Sequence, residues 1–392
     1  MEPNPCRFCS PPDFDKDEIR KTYAMTVSYS ADPVPYSPGV ETPEPDEAET
    51  TKELLQTLRK ISETTYKDGG HALRSVHAKS HALLEGRLDV LDGLPPELAQ
   101  GIFARRESYP VMLRLSTNPG DILDDSITVP RGLAIKVLGV EGERLPGSEG
   151  ATSQDFVMVN APAFAAPNAR KFAGSLKLLA ATTDQPQILK KAVSAVLRGA
   201  ESVVEAFGGE SAALKTMGGA SQTHPLGDTF YTQTAFRYGD YIAKLSLAPV
   251  SPELTALTGT TLATFGNPNV IRDAVGGFFR RNPGSWEIRV QLCTDLDAMP
   301  VEDASVEWPE DRSPFVAVAR ITLPPQTGWS EQRSHVVDDG FAFSPWHGLA
   351  AHRPLGSINR VRKLSYEMSA GFRAEHNGCP IHHPGKAARL PE

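Results

Sequence analysis

The apolar positions along the chain switch between two periods. In TKELLQTLRK, Thr51 to Lys60, they fall at helical spacing behind an acidic first turn, which predicts an amphipathic helix. Alternating or continuous apolar runs then predict strands in YPVMLRLST (109–117), RGLAIKVLGV (131–140) and QDFVMVN (154–160). Helical periodicity returns in NARKFAGSLKLLAATT (168–183) and QPQILKKAVSAVLRGAESVVEAF (185–207). The segment FYTQTAFRYGDYIAKLSLAPV (230–250) reads as a hairpin turning at Tyr238, Gly239 and Asp240. Two further strands, SWEIRVQLCT (285–294) and FVAVARITLP (315–324), precede a helix containing NRVRKLSYEMSAGFR (359–373). Strands in runs, interrupted by helices, predict an antiparallel α+β body, and so many consecutive strands can close into a barrel. No internal repeat is visible.

Composition narrows the picture modestly. With 40% hydrophobic and 22% charged residues over 392 positions, the chain has the make-up of a soluble globular protein of one large or two ordinary domains. A formal net charge of -8 argues against nucleic acid or an anionic membrane surface as a main partner. The Pro-, Asp- and Glu-rich residues 1–45 read as a disordered or draped arm, 46–378 as the core and 379–392 as a tail. No targeting segment or apolar run of membrane length is seen, and four cysteines make no disulfide framework. A cytoplasmic location is therefore expected.

Chemistry concentrates in a few short segments. Arg362 and Tyr366 lie one helical turn apart, and Arg373 follows seven residues later on the same face. A guanidinium beside a phenol favours the phenolate, and tyrosinate is one of the few protein ligands of haem iron. The alternative is a surface Arg–Tyr pair. In RSVHAKSHALLEGRLDV, His77 is a candidate acid/base, although strand alternation would put Arg74 and His77 on opposite faces. Arg114 and Ser116 share one strand face, where a buried guanidinium calls for an anion. Asn160 ends an apolar strand as a turn residue or as a polar group facing a pocket.

Taken in order, RSVHAK, RLST, PRGLAIK, DFVMVNAPAF and RKLSYEMSAGFR resemble the haem catalases and the smaller catalase-related haem proteins. These motifs span most of residues 70 to 378, and Asn377, four beyond Arg373, also matches. The resemblance implies an antiparallel eight-stranded barrel with flanking helices and a haem b cofactor. It implies Tyr366 as the iron's axial ligand, Arg362 as its charge partner, His77 as distal acid/base and Ser116 as the residue orienting it. Arg74, Arg114 and Arg373 match the arginines that neutralise the haem propionates, while Val76 and Phe164 match residues packing the cofactor. Asn160 takes the distal amide role only with a shift of one residue, because the family position aligns with Val159.

Other departures matter for substrate. Val129 replaces the family's channel aspartate, Leu133 follows Gly132 in place of phenylalanine, and Ala165 stands where a phenylalanine packs the distal pocket. The long wrapping and C-terminal helical segments of full catalases have no counterpart here. A wider, more apolar approach suits organic hydroperoxides or reducing substrates. The resemblance thus implies a hydroperoxidase acting on a small-molecule hydroperoxide, with an organic electron donor and a homo-oligomeric state both admitted. It extends to coral allene oxide synthases, which rearrange hydroperoxides but carry Thr where this chain has Val76. A pathway-specific oxidative haem enzyme and a non-enzymatic haem carrier or sensor are further alternatives. Separately, Cys6 and Cys9 with Cys379 and His382 or His383 have zinc-type spacing if the termini meet.

Overall fold

Side-chain alternation along one continuous antiparallel sheet generates the architecture. A computed structural model describes residues 29–181, 222–264, 266–386 and 390–392 of the protein. Helix α1 (Glu47–Gly69) precedes strands β1 (Lys79–Val90), β2 (Ser108–Thr117), β3 (Arg131–Leu138) and β4 (Ser153–Val159). After α2 (Ala169–Ala181) come β5 (Phe230–Tyr231), β6 (Phe236–Tyr238) and β7 (Tyr241–Pro249). Helix α3 (Val270–Phe279), strands β8 (Gly284–Leu292) and β9 (Val316–Leu323), and helix α4 (Ser357–Asn377) complete the order. Hydrogen bonding runs β5-β4-β3-β2-β1-β9-β8-β7-β6, and β5 also pairs with β7. That pairing closes eight strands into an antiparallel barrel, with β6 continuing along the same edge of β7.

Inward-facing side chains fill the barrel. Val111, Leu113 and Leu115 of β2, Leu133, Ile135 and Val137 of β3, and Phe156 and Met158 of β4 join one apolar cluster with Ile288, Val290 and Ile321. The alternate residues of β2, Met112, Arg114 and Ser116, therefore face outward. Outside the barrel, α1, α2 and α4 pack through Leu54, Leu58, Ile61, Ala173, Leu176 and Val361, with Val76 against them. Left-handed glycines stop two of these helices, Gly70 at φ 67° and Gly378 at φ 63°. Arg360 pins the start of α4, donating to Glu41, Glu47 and Glu302 at 2.8, 2.7 and 2.9 Å.

Most predicted elements form. The hairpin turns at Gly239, whose φ is 61°, with Tyr238 opposite Tyr241. The helix expected over 185–207 lies outside the described residues. Strand β1 breaks the apolar pattern because Lys79 and His81 are buried, held by Asp125 at 2.7 Å and Thr117 at 2.9 Å. From residue 29 the N-terminal arm is draped over the barrel, with Val34 N–H on Cys293 O and Tyr36 N–H on Asp240 O, both at 2.7 Å. The C-terminal tail is also docked. Gly139 N–H and Ala342 N–H donate to Gly385 O and His382 O at 3.0 Å, and Leu390 is buried among Leu83, Met112 and Phe341.

Candidate functional site

A cavity lies between the outer face of β2, β3 and β4 and the inner face of α4, with α1 at one side. It encloses about 740 Å³ of empty space, part of it continuous with solvent. Its barrel wall carries Arg114, Ser116, Gly132, Ala134 and Val157, and its helix wall Ser365, Tyr366, Ser369, Ala370 and Arg373. The segment leading into β1 contributes Arg74, Ser75, Val76 and His77. Because this segment is a loop, strand alternation does not apply, and Arg74 and His77 both reach the same cavity.

That loop is fastened from several elements. Ser75 bonds Ser62 of α1 at 2.9 Å through its hydroxyl and Ser369 of α4 at 3.2 Å through its N–H. Asn377, at the end of α4, accepts from Ala72 N–H at 2.8 Å and donates to Ala72 O at 3.0 Å. Arg114 donates to the carbonyls of His77 and Ala78 at 3.0 and 3.1 Å. So held, His77 adopts φ 53°, a left-handed conformation that costs a non-glycine residue about 1–3 kcal/mol. A Cβ at Gly132 would stand 2.6 Å from His77 Nδ1, so only glycine leaves room for the ring. His77 Nδ1 is sealed from solvent without a hydrogen-bond partner. Burial, with Arg114 and Arg362 nearby, lowers the imidazole pKa to about 3, so the ring is neutral at ordinary pH.

On α4, Arg362 donates to the Tyr366 hydroxyl at 3.2 Å and to Asn359 Oδ1 at 3.1 Å. The expected pair is thus in contact. At the other end of the cavity Arg74, Arg114 and Arg373 gather. Arg74 and Arg114 share Asp338 at 2.9 and 2.7 Å. Arg373, 3% exposed, meets only the carbonyls of Asp338 and Phe341, and its Nε has no partner. Burial first, then Arg114, lowers its pKa to about 10. Burial opposes the Asp338 carboxylate, but Arg114 and Arg74 override it and hold that group below its ordinary range. An arginine this buried without a carboxylate partner marks a place for an anion.

The remaining named residues make other contacts. Asn160 does not line the cavity: its Oδ1 accepts from Arg131 N–H at 2.9 Å and its Nδ2 donates to Asp228 at 3.2 Å. It is the turn residue, because β4 ends at Val159 and Asn160 falls on the parity opposite to the cavity-facing Val157. Ser116 lines the cavity, but its hydroxyl points to Gly132 O at 3.5 Å instead of orienting His77. Phe164 packs edge-on to Phe172 of α2, ring centroids 5.0 Å apart, away from the cavity wall. Of the zinc-type set, Cys6 and Cys9 lie outside the described residues, and His383 stacks on His347 at 3.7 Å. Among the described residues no group of three or more His, Cys, Asp or Glu is arranged for a metal ion. Sequence reasoning missed Asp338, which no spacing singles out, and the spatial reason for Gly132.

Comparison with solved structures identifies the fold. A fungal catalase covers 81% of the chain with a TM-score of 0.54 at 19% identity. Catalase A from Saccharomyces cerevisiae covers 80% with a TM-score of 0.52 at 17% identity. The fold is catalase-like. The chain spans only 61% and 63% of those two proteins' own lengths. No protein-family model matches the sequence, and no curated protein sequence does. Within this catalase-like fold the cavity lies outside the barrel, and none of the described helices is long and apolar enough to cross a membrane.

Proposed function

We propose that the protein is a cytoplasmic haem-dependent hydroperoxidase that cleaves the O–O bond of hydrogen peroxide or an organic hydroperoxide. The observation that carries this reading is the cavity itself. It puts an Arg-paired tyrosine on one wall, a neutral histidine at its rim and three arginines at one end. Haem b suits these groups: its flat, apolar ring matches Val76, Ala134, Val157 and Ala370, and its two carboxylates match the arginine end. The buried Arg373 without a carboxylate supports the same assignment. Haem would supply a ferric centre able to accept a peroxide oxygen and exchange electrons.

Each side chain then has a defined task. Tyr366 would hold the iron through its phenol oxygen, to which the Arg362 guanidinium donates at 3.2 Å. Asn359 keeps that guanidinium in place. Arg74, Arg114 and Arg373 bind the two carboxylates. The neutral His77 imidazole would take a proton from the near oxygen of the peroxide and return it to the far oxygen, which leaves as water or an alcohol, the two electrons of the cleavage being what the haem would supply. Away from the arginine end, the barrel wall offers Gly132, Ala134 and Val157, with Ser116 and no amide among the described lining residues. A substrate with one polar end and one apolar end meets such a wall without an unpaired hydroxyl, which favours organic hydroperoxides.

The test is peroxide addition to the haem-loaded protein, with and without a phenolic donor. Oxygen release without donor marks catalase activity, and donor oxidation marks a peroxidase. Consumption of a lipid hydroperoxide with neither outcome would replace this reading by a rearrangement. Haem binding without any peroxide reaction would leave a carrier or sensor.

A further inference from the structure

One acidic residue organises the arginine end of the cavity. Asp338 belongs to a π-helical turn, His335–Asp339. Its Oδ1 accepts from Arg74 Nη1 at 2.9 Å and Arg114 Nε at 2.7 Å. Its Oδ2 accepts from Ser80 and Ser334 hydroxyls at 2.6 and 2.7 Å. The Asp338 backbone carbonyl accepts from Arg74 at 3.0 Å and from Arg373. All three guanidiniums therefore converge on this one residue. Neighbouring Asp339 makes its direct contacts elsewhere, 2.8 Å from His71 Nε2 and 3.0 Å from His335 Nδ1, but its charge also acts on Arg74 and Arg373.

Three guanidiniums face the Asp338 carboxylate directly, with the Asp339 charge felt by Arg74 and Arg373 from further off, so positive charge outweighs negative in a largely buried place. Mutual repulsion of three unpaired guanidiniums would oppose folding around such a centre. We propose that Asp338 is a permanent counterion that lets the arginine cluster form in the ligand-free protein, and that leaves the cluster positive enough to take a carboxylate-bearing ligand. The identity of that ligand as a porphyrin rests on the haem reading. The counterion role does not. Asp338 is a positioning residue: through Arg114 it also supports the carbonyl of His77.

The test uses full-length protein purified free of haem, melted alone, with iron-free protoporphyrin IX, and with its dimethyl ester, which lacks both carboxylates. Asp338→Asn should lower the ligand-free melting temperature by roughly 5 °C. Adding Arg74→Gln to it removes one of the three positive charges and should recover part of the loss, which a role in packing alone would not produce. Protoporphyrin IX should raise the melting temperature of Asp338→Asn more than that of the wild type, and the dimethyl ester should protect neither. An unchanged melting temperature for Asp338→Asn, a double variant less stable than the single, or equal protection by the two porphyrins would overturn the proposal. If Asp338→Asn does not fold, the double variant should, and failure of both counts against the role. Protoporphyrin IX that does not bind the wild type sinks the haem reading, while the ligand-free comparison still judges the counterion.

Discussion

His77 owes its chemistry to its surroundings more than to its ring. The left-handed backbone at φ 53° and the bare face of Gly132 together set where the imidazole stands. Gly132→Ala should push the ring aside, destabilise the protein by about 1–3 kcal/mol and slow the reaction with peroxide. Stopped-flow rates beside a thermal melt would separate the two effects, and an unchanged rate would show that the ring position is not critical. The pH dependence follows from the lowered pKa of about 3. A depressed value keeps the base form present well below the ordinary histidine pKa of about 6.5. The rate constant with peroxide should therefore show no histidine limb between about pH 5 and 8. An acid limb near pH 6.5 that disappears in His77→Gln would contradict this environment. Replacing His77 by Ala should keep haem binding and lower the peroxide rate by about 10²- to 10⁴-fold.

Among the elements, the legible ones were those whose apolar period was unbroken. Strands β2, β3, β4, β8 and β9 lie within two residues of the expected limits, because their inward faces are filled by Val, Leu, Ile and Phe. The missed ones carry buried polar groups. Strand β1 holds Lys79 and His81 inside the protein, paired with Asp125 and Thr117, so its pattern reads as mixed. Helix α4 was legible through Arg362, Tyr366 and Arg373, and its last turn does a further task through Asn377. Asn377→Ala leaves the Ala72 N–H and C=O without this partner, which costs about 1–3 kcal/mol if they stay dry. The loop carrying Arg74 and His77 should loosen, so hydrogen exchange at residues 72–78 should rise while α2 is unaffected. The docked tail was not legible either, because a single apolar residue in a polar stretch has no period. Leu390→Ala should nonetheless lower stability by about 2 kcal/mol, read by denaturant melts, given its place beside Leu83 and Phe341.

At the scale of the molecule, barrel closure through β5 and β7 supplies a rigid wall, and α4 lies across it. The motifs foretold that Tyr366, His77 and the three arginines would share one site, and they line or border a single cavity. The distal side was foretold less well. Asn160, one position past the end of β4, is committed to Arg131 and Asp228, while Ser116 keeps the cavity face of β2 and turns its hydroxyl to Gly132 O. The chemistry of the helix wall centres on the phenol of Tyr366 beside Arg362. The most direct measurement is the absorption spectrum of the haem-loaded wild type against Tyr366→Phe. The account predicts a high-spin ferric spectrum for the wild type that is lost or clearly shifted in the variant. Failure of the wild type to bind haem, or a variant spectrum identical to the wild type, would contradict it.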